Sequence, residues 1–359
     1  METSLSPMPE EISLSLHEFD YELPEELIAQ EPIEPRDAAR LMVLRRATRT
    51  IEHRIFRELP SLLDPGDLLV VNDSRVLPAR LFGQRRTGGK VEILLVQPLE
   101  GTTLWLALGR PARKLRPGET ILVLRHDESF EPQPLRILEQ RARGQVVVEL
   151  SPAIAEHLEL FGHVPLPPYI RAPLRDPERY QTVYATHPGS VAAPTAGLHF
   201  TEHLLTELRQ RGITIAPLTL HVGIGTFKPI EVEDVRQHKM HAEWYRVPAE
   251  TVALIQEARR AGRRVVAVGT TAARTLESIA DSVDQGAVSQ LTGWTDLYIY
   301  PGYRWRVVNA LITNFHLPRS TLILLVASFA GREFILEAYR EAVRQRYRFY
   351  SFGDAMLIL

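Results

Sequence analysis

The carboxyl-terminal half alternates between strand-like and helix-like segments, and this alternation limits the possible folds more than any other feature. From residue 189, segments with helical spacing of apolar residues alternate with short apolar runs that are typical of buried strands. The pattern predicts an α/β layer domain with a largely parallel sheet. The predicted helices are residues 202–211, 249–261, 272–280, 320–330 and 333–343, and the predicted strands are residues 213–220, 264–268 and 307–313.

Residues 65–150 have a different pattern. Short apolar runs recur there without helices between them, and turn sequences such as Gly88-Gly89 and Pro117-Gly118 separate several of the runs. Strands at this spacing predict a small antiparallel barrel or sandwich, and we expect a β-barrel. Predicted strands at residues 41–44 and 52–56 can join the α/β sheet. We therefore predict an α/β domain formed by residues 1–64 and 151–359, with residues 1–16 as a loose acidic tail and residues 65–150 as an inserted β-barrel domain.

The composition restricts the class of protein. With 359 residues, of which 45% are apolar and 24% charged, the chain can build its own core, and its length suits about two domains. The absence of cysteine excludes disulfides, thiolate metal ligands and a cysteine nucleophile. No signal peptide is visible, and the longest apolar run, residues 322–327, is far shorter than a membrane span. We expect a soluble, cytoplasmic monomer without membrane contact.

Basic side chains are grouped in two stretches of a chain whose formal net charge is only −2. Such patches fit contacts with phosphate groups, and a solvated arginine-rich surface explains each patch equally well. The first stretch carries Arg85, Arg86, Lys90, Arg110, Arg113, Lys114 and Arg116, and the second carries Arg340, Arg344, Arg346 and Arg348.

The stretch GSVAAPTAGLHFT at residues 189–201 is rich in small residues and carries one imidazole, His199. Small residues let a backbone approach a ligand closely, and Thr201 is a natural N-cap for the predicted helix behind it. The free N–H groups of a helix start suit an anion. A buried turn from a loop into a helix is the alternative interpretation.

Polar residues also follow the predicted strands. Residues 73–75 follow an apolar run, residues 221–226 follow the strand at 213–220, and residues 269–271 precede a helix that carries Arg274. Residues 314–316 follow the strand at 307–313. Because ligands of open α/β sheets bind beyond the carboxyl ends of the strands, we expect the last three groups to share a pocket. For residues 73–75, a surface turn is equally compatible with the sequence.

Two shorter signals are less specific. Gly223 and Gly225 resemble half of a dinucleotide-binding fingerprint, but no helix opens after them. His238 and His241 have a spacing that metal ligands use, although two surface histidines are the simpler interpretation. We predict no metal site.

Eight motifs, spread from about residue 17 to residue 359, resemble the S-adenosylmethionine:tRNA ribosyltransferase-isomerase family. The motifs show no departure from the family pattern, and residues 1–16 resemble an added segment. The motifs are ELIAQEPIEPRDAARLMVL (26–44), LLVVNDSRVLPARLFG (68–83), GSVAAPTAGLHFT (189–201), LTLHVGIGTFKPI (218–230), HKMHAEWY (238–245), AVGTTAARTLES (267–278), GWTDLYIYPGYRWRVVNALITNFHLPRSTL (293–322) and YSFGDAML (350–357).

The resemblance implies an enzyme of queuosine biosynthesis with an α/β domain and a small β-barrel. Such enzymes transfer and isomerise the ribosyl moiety of S-adenosylmethionine onto 7-aminomethyl-7-deazaguanine at the wobble position of tRNA. The product is epoxyqueuosine-tRNA, and adenine and methionine are released. The implied partners are therefore tRNA and S-adenosylmethionine, which acts as ribosyl donor, and neither a metal nor another cofactor is expected.

This chemistry needs a base, an acid for the departing adenine, donors for the methionine carboxylate and a group that stabilises the sulfonium cation. Imidazoles, aromatic faces and a helix start can meet these needs, and we choose residues by their chemistry. The candidate catalytic residues are His199, His221, His316, Asp73 and Asp354. The candidate binding residues are Arg75, Thr195, Gly197, Phe200, Gly223, Gly225, Thr226, Thr270, Thr271, Arg274, Asp296, Tyr298, Tyr300 and Asn314.

A noncatalytic RNA-binding module is the alternative, supported by the basic patches and the barrel-like segment. The cluster of histidine, threonine and asparagine favours an enzyme, because an RNA binder needs stacking and phosphate contacts more than buried acid–base groups. A hydrolase is a weaker alternative, since no serine lies in a nucleophile-elbow pattern.

Overall fold

A computed structural model describes residues 14–126, 131–223 and 230–359. Strands dominate the chain before residue 164, and helices alternate with strands after residue 201. The strands are β1 (Arg40–Arg45), β2 (Thr50–Ile55), β3 (Leu68–Asn72), β4 (Ser74–Val76), β5 (Arg80–Arg85), β6 (Lys90–Glu100), β7 (Leu104–Arg110), β8 (Thr120–Val123), β9 (Gln133–Gln140), β10 (Gln145–Leu150), β11 (Gly162–His163), β12 (His187–Ser190), β13 (Thr214–Leu220), β14 (Glu243–Val247), β15 (Val265–Val268), β16 (Leu291–Thr295), β17 (Ala310–Asn314) and β18 (Ala355–Ile358).

Side-chain caps mark the starts of two of the longer helices. The Oγ1 atom of Thr201 accepts the N–H of Leu204 at 3.1 Å, which confirms the predicted N-cap. Ser320 accepts the N–H of Ile323 in the same way at 3.3 Å. The helices are α1 (Pro152–Glu156), α2 (Leu158–Phe161), α3 (Glu202–Gln210), α4 (Ala249–Arg260), α5 (Thr270–Ser278), α6 (Ala280–Asp284), α7 (Thr321–Ala330) and α8 (Arg332–Arg344).

The larger sheet of the described chain has nine strands in the order β16-β14-β13-β3-β15-β17-β18-β1-β2. The strands β13, β3, β15 and β17 are parallel to one another, and β18 is parallel to β1. Antiparallel pairs flank this parallel centre. The predicted α/β class with a largely parallel sheet is confirmed. Because β1, β2 and β3 precede the barrel in sequence, the chain leaves this sheet after β3 and rejoins it at β13.

Helices cover both faces of the central strands, which explains their continuous apolar sequences. Every residue of β3, β15 and β17 is buried. Val266 of β15 packs in one apolar cluster with Leu204 of α3, whereas Val265 packs in another with Ile255 of α4. Parallel strands that are buried on both faces have no polar alternation along their length. Polar side chains therefore collect where these strands end.

Six strands close into an antiparallel barrel, as the sequence predicts. They are adjacent in the order β5-β6-β7-β10-β9-β8, and β8 pairs again with β5. The short strand β11 adds to β5. Ile154 of α1 and Phe161 of α2 pack into the barrel core.

The predicted boundaries of the barrel domain, residues 65 and 150, are wrong. The apolar run at residues 68–71 belongs to β3, in the centre of the large sheet. The barrel strands lie between Arg80 of β5 and His163 of β11. A short continuous apolar run predicts a buried strand but does not indicate which sheet buries it.

A buried carboxylate in α5 holds the segment that leads into β17. Glu277 is 4% exposed, and its Oε1 atom accepts the N–H groups of Val307 and Val308, both at 2.9 Å. Its Oε2 atom accepts the N–H of Arg306 at 2.9 Å and the hydroxyl of Tyr303 at 3.0 Å. Hydrogen bonds to an ionised acceptor are roughly twice as strong as neutral ones. This carboxylate therefore sets the position of β17 relative to α5.

The Glu277→Ala substitution is expected to lower the free energy of unfolding by about 3 kcal/mol, because buried N–H groups lose their acceptor. Chemical denaturation measures this loss. The matched control is Glu337→Ala on the exposed face of α8, which should change stability by less than about 0.5 kcal/mol. Equal losses in the two variants would contradict the role assigned to Glu277.

Candidate functional site

An open cleft of about 700 Å³ lies at the carboxyl edge of the large sheet. Residues 269–271 after β15 and residues 313–317 at the end of β17 line it. Residues 192–196 and 350–351 also line it. The predicted site residues in the lining are Thr195, Thr270, Thr271, Asn314 and His316.

The side chain of Asn314 joins three segments beside the cleft. Its Oδ1 atom accepts the hydroxyl of Thr195 at 2.9 Å. Its Nδ2 atom donates to the carbonyl of Tyr350 and to Nε2 of His199, both at 3.3 Å. Because a carbonyl oxygen only accepts, the contact with Tyr350 defines the orientation of the amide, and Nε2 of His199 is an acceptor. The amide thus connects β17 to the 189–201 stretch and to the segment before β18.

The start of α5 faces the cleft. Gly269, at φ +88°, turns the chain from β15 into the helix, and no side chain of the described residues caps its first turn. Thr270 and Thr271 line the cleft, and the hydroxyl oxygen of Thr271 accepts Nδ2–H of Asn72 at 3.2 Å. The positive end of a helix, with free N–H groups, can bind a carboxylate.

His316 brings an imidazole to the cleft. Its Nε2 atom lies 2.7 Å from the hydroxyl oxygen of Thr313, and its backbone N–H donates to the hydroxyl of Tyr339 at 3.0 Å. Burial lowers the pKa of His316 to about 3, so the ring is neutral at physiological pH. Within the part of the chain that the structure describes, Nδ1 has no hydrogen-bond partner. Nδ1 is therefore the ring nitrogen that remains for a ligand.

Aromatic residues that the sequence analysis missed also line the cleft. The rings of Tyr169 and Tyr350 lie 4.8 Å apart, and the hydroxyl of Tyr169 is 2.7 Å from that of Ser351. Tyr180 lines the cleft as well. Ring faces of this kind attract cations. Residues 350 and 351 lie in a motif that resembles the family, whereas nothing in the sequence distinguishes Tyr169 and Tyr180 from core tyrosines.

The candidate catalytic residue His199 does not line the cleft. The turn at Thr195–His199 buries its ring behind Asn314, where it packs against Phe56 with a centroid distance of 5.0 Å. Burial lowers the pKa of His199 to about 3, and three guanidinium groups, led by that of Arg348, lower it further. His199 is thus a neutral acceptor that positions Asn314, and it lines a separate pocket of about 240 Å³ together with Arg36 and Arg179. Its contact with a ligand stays a prediction.

Three further candidates have structural positions. Asp354 accepts the N–H of Arg40 at 2.9 Å and an N–H of its own loop at 2.8 Å, and burial raises its pKa. Phe200 is completely buried in the core. At Gly197, a Cβ atom would lie 2.1 Å from the hydroxyl of Tyr184, so this glycine serves packing. None of the three contacts the cleft. The type of a residue indicates which chemistry its side chain can perform, but it does not indicate where the side chain points.

The predicted carboxylate donor Arg274 is already paired. Its Nη1 atom donates to Oε2 of Glu243 at 2.6 Å, and its Nε atom donates to the carbonyl of Leu297 at 3.1 Å. Both charged side chains are buried. The other carboxylate oxygen of Glu243 accepts the N–H of Gly223 at 2.9 Å. Breaking a buried ion pair is costly, so Arg274 and Gly223 maintain the structure and are not free to bind a carboxylate.

Asp73 lies in a second polar cluster, outside the cleft lining. Its Oδ1 atom accepts the hydroxyl of Thr219 at 2.7 Å, and its Oδ2 atom is 3.0 Å from Nδ1 of His187. Nε2 of His187 contacts a guanidinium nitrogen of Arg246. Because a guanidinium only donates, Nε2 accepts, and the proton on Nδ1 points to Asp73. Arg75, also predicted at the site, forms an ion pair with Glu178.

His221 belongs to the same cluster. Its ring stacks on Trp244 at a centroid distance of 5.1 Å and an interplanar angle of 19°. A Cβ atom at Gly189 would lie 2.6 Å from Nε2 of His221, so this position requires glycine. Burial lowers the pKa of His221 to about 4, and the charge of Asp73 opposes that shift. Neither Asp73 nor His221 lines the cleft, but Val222 does, so all three polar groups predicted to share a pocket contribute to its lining.

The remaining candidates lie at the margin of the cleft or away from it. Tyr298 lines a pocket of about 390 Å³ that shares Thr270 and Thr271 with the cleft, and its ring is 5.0 Å from that of Tyr300. Asp296 is exposed and lines neither pocket. Two candidates, Gly225 and Thr226, lie outside the described residues.

The described residues contain no group of three or more His, Asp or Glu side chains with the arrangement of a metal site. His238 instead packs edge-on against Tyr298 at a centroid distance of 5.3 Å. No helix of these same residues is long and apolar enough to cross a membrane.

The fold and the cleft define an α/β protein with a polar cleft at the carboxyl edge of its sheet and an inserted antiparallel barrel. The family model described as "Queuosine biosynthesis protein" matches residues 16–358, and the chain belongs to this family.

Named relatives support the same assignment over nearly the whole chain. The S-adenosylmethionine:tRNA ribosyltransferase-isomerase of Thermotoga maritima is 54% identical over 348 residues, which cover 96% of this chain and 100% of the relative. The enzyme of the same name from Symbiobacterium thermophilum is 55% identical over 351 residues, with the same coverage of 96% and 100%. The crystal structure of the S-adenosylmethionine tRNA ribosyltransferase from Thermotoga maritima matches with a TM-score of 0.55 and 45% identity, over 95% of this chain and 100% of that one. The predicted family and its enzymatic class are confirmed.

Two buried imidazoles predict a loss of stability in mild acid. The pKa values of His199 and His316 are about 3 in the folded protein, below the ordinary value of about 6.5. Between these values the unfolded chain binds more protons, so stability falls as the pH is lowered. Each histidine contributes a slope of up to about 1.4 kcal/mol per pH unit.

Urea unfolding between about pH 7 and about pH 5 measures this slope. The His316→Gln variant should show a shallower slope than the unmodified protein, and His203→Gln on the exposed face of α3 should not. A free energy of unfolding that does not change over this range would contradict the buried, neutral state of both rings.

Proposed function

We propose that this enzyme transfers and isomerises the ribosyl moiety of S-adenosylmethionine onto 7-aminomethyl-7-deazaguanine in tRNA. The product is then epoxyqueuosine-tRNA, and adenine and methionine leave. The observation that carries this proposal is the polar and aromatic cleft at the carboxyl edge of the sheet, in a chain more than half identical to relatives with the corresponding enzyme name. The reaction as written needs neither a metal nor a further cofactor.

The cleft offers complementary groups for the carboxylate and the sulfonium of S-adenosylmethionine. The start of α5 at Thr270 and Thr271 suits the methionine carboxylate, because its N–H groups and helix dipole favour an anion. The ring faces of Tyr169 and Tyr350 suit the sulfonium cation. This arrangement replaces Arg274 and Phe200, the candidates from sequence, whose side chains are engaged elsewhere.

His316 is the imidazole that lines the cleft, and we assign it a hydrogen bond to the ribosyl donor through Nδ1. Its burial keeps the ring neutral and makes it a weak base. The role that suits such a ring is to hold a substrate atom on which charge develops, as preorganised hydrogen-bonding groups do. Thr313 on Nε2 keeps the ring in one orientation.

A noncatalytic RNA-binding module explains less of the molecule. Such a module needs stacking platforms and phosphate contacts, and it has no use for a cleft lined by buried threonine, asparagine and histidine side chains. The curated relatives also carry an enzyme name.

The proposed function is tested by incubating the protein with S-adenosylmethionine and a tRNA that carries 7-aminomethyl-7-deazaguanine. Adenine and methionine should appear in equal amounts, and the tRNA should gain the mass of the epoxycyclopentanediol group. The matched control is the same tRNA with an unmodified guanine, which lacks the attacking amine. Adenine release without modification of the tRNA would contradict the proposed transfer.

The His316→Ala variant is expected to lower kcat for adenine release by about a hundredfold, the typical loss on removing one preorganised hydrogen-bonding group. The control variant is His203→Ala on the exposed face of α3, which should retain the unmodified rate. If the His316→Ala variant folds and turns over at the unmodified rate, His316 has no role in the reaction.

A further inference from the structure

The antiparallel flank of the large sheet carries a row of aromatic and cationic side chains beside the cleft. The register of β13, β14 and β16 places Thr219 opposite Arg246, and Trp244 opposite Trp294. His221 follows two residues after Thr219. Directly opposite residues share one face of a sheet, and alternate residues along a strand return to that face. These five side chains therefore lie on the same face.

This face is opposite to the one that α4 covers. Leu218, Leu220 and Val247 alternate with the residues of the row and pack in the apolar cluster that contains Ile255 of α4. On the other side, Trp294 remains 59% exposed and Trp244 is half-buried. A large aromatic side chain exposed to this extent is typical of an interaction surface.

Arg246 places one cation on this face. Arg246 contacts His187, its Nε atom is buried without an acceptor, and no carboxylate of the described residues forms an ion pair with it. Asp73 lies behind the face, and both of its oxygens are already engaged by Thr219 and His187. The exposed Asp296 follows β16 and places a negative charge at the end of that strand. The remaining guanidinium nitrogen of Arg246, Nη1, has no partner among the described residues and is therefore available to an external anion.

One short extended segment links this face to the cleft. His187 at the start of β12 touches Arg246, and Gly189 lies against the ring of His221. Ala192 already lines the cleft. At about 3.3 Å per residue, the chain covers at most about 10 Å between Gly189 and Ala192. A ligand bound on the face is thus within reach of the cleft.

We propose that this surface, the tryptophan face formed by Trp244, Trp294, Arg246, His187 and His221, docks the unpaired loop of the substrate RNA. Tryptophan rings stack unpaired bases, and a guanidinium binds the phosphate between them. The guanidinium of Arg246, which has no carboxylate partner among the described residues, favours a partner that carries phosphate groups, as RNA does. The inference rests on the proposed function, since it takes tRNA as the substrate.

The Trp294→Ala variant tests the stacking contact. Binding of an anticodon stem-loop RNA, followed by fluorescence anisotropy, should weaken about tenfold, as expected for loss of one base stack. Trp294→Phe keeps a ring and should retain most of the affinity, while the affinity for S-adenosylmethionine should stay unchanged in both. The matched control is Trp105→Ala on the barrel, which should bind the RNA as the unmodified protein does.

The Arg246→Gln variant tests the phosphate contact through the dependence of affinity on salt. Each phosphate contact releases counterions, so the slope of log K against log salt concentration should become shallower by about one. The matched control is Arg260→Gln on the exposed end of α4, which should leave the slope unchanged.

Unchanged RNA affinity in both Trp294→Ala and Arg246→Gln would overturn the tryptophan face. Loss of RNA binding in Trp105→Ala alone would overturn it as well and would locate the RNA on the barrel. A change of sedimentation coefficient in Trp294→Ala without RNA, at unchanged RNA affinity, would identify a protein interface instead. If the unmodified protein releases no adenine, the proposed function is wrong. This result is independent of the RNA-binding measurements.

Discussion

The amide of Asn314 makes hydrogen bonds to two other segments of the chain, and the shape of the cleft depends on these bonds. Thr195, Tyr350 and His199 each share a polar atom with this side chain, and all of these contacts are at 3.3 Å or less. A buried polar group that loses its partner costs about 1–3 kcal/mol. The loop after β12, the end of β17 and the segment before β18 are thus held together where the cleft opens.

Charged side chains near the cleft serve the fold, and the cleft itself is lined by neutral polar groups. Glu277 holds the chain before β17, Asp354 binds two backbone N–H groups, and Arg274 is paired with Glu243. The described lining offers hydroxyls, one amide, one neutral imidazole and the start of α5. In such a cleft the ligand supplies the charges. The dipole of α5 can balance a carboxylate, and the faces of the tyrosine rings can balance a cation. This division suits a ligand that carries both a carboxylate and a cation.

The sequence predicts the large features because they follow from periodicity. Alternating strand and helix patterns indicate the α/β sheet, and the short strands indicate the barrel, although the apolar run at β3 could not be assigned to the correct sheet. The positions of Thr270 and Asn314 follow from the rule that ligands bind at the carboxyl ends of strands, whereas that of Thr195 follows from the small-residue stretch at residues 189–201. The direction of a side chain in a turn or an irregular segment does not follow from periodicity. His199 is rotated inwards by a short helical turn, and Tyr169 reaches the cleft from a segment without a recognisable pattern.

A crystal structure of the protein with S-adenosylmethionine will show whether this neutral cleft is the site of the ribosyl donor. The ligand is expected in the cleft, with its carboxylate within hydrogen-bond distance of the N–H groups of Thr270 and Thr271 and its sulfonium beside Tyr169 or Tyr350. A ligand bound elsewhere while the cleft stays empty, for example in the groove that His53 and Glu341 line, would contradict the account.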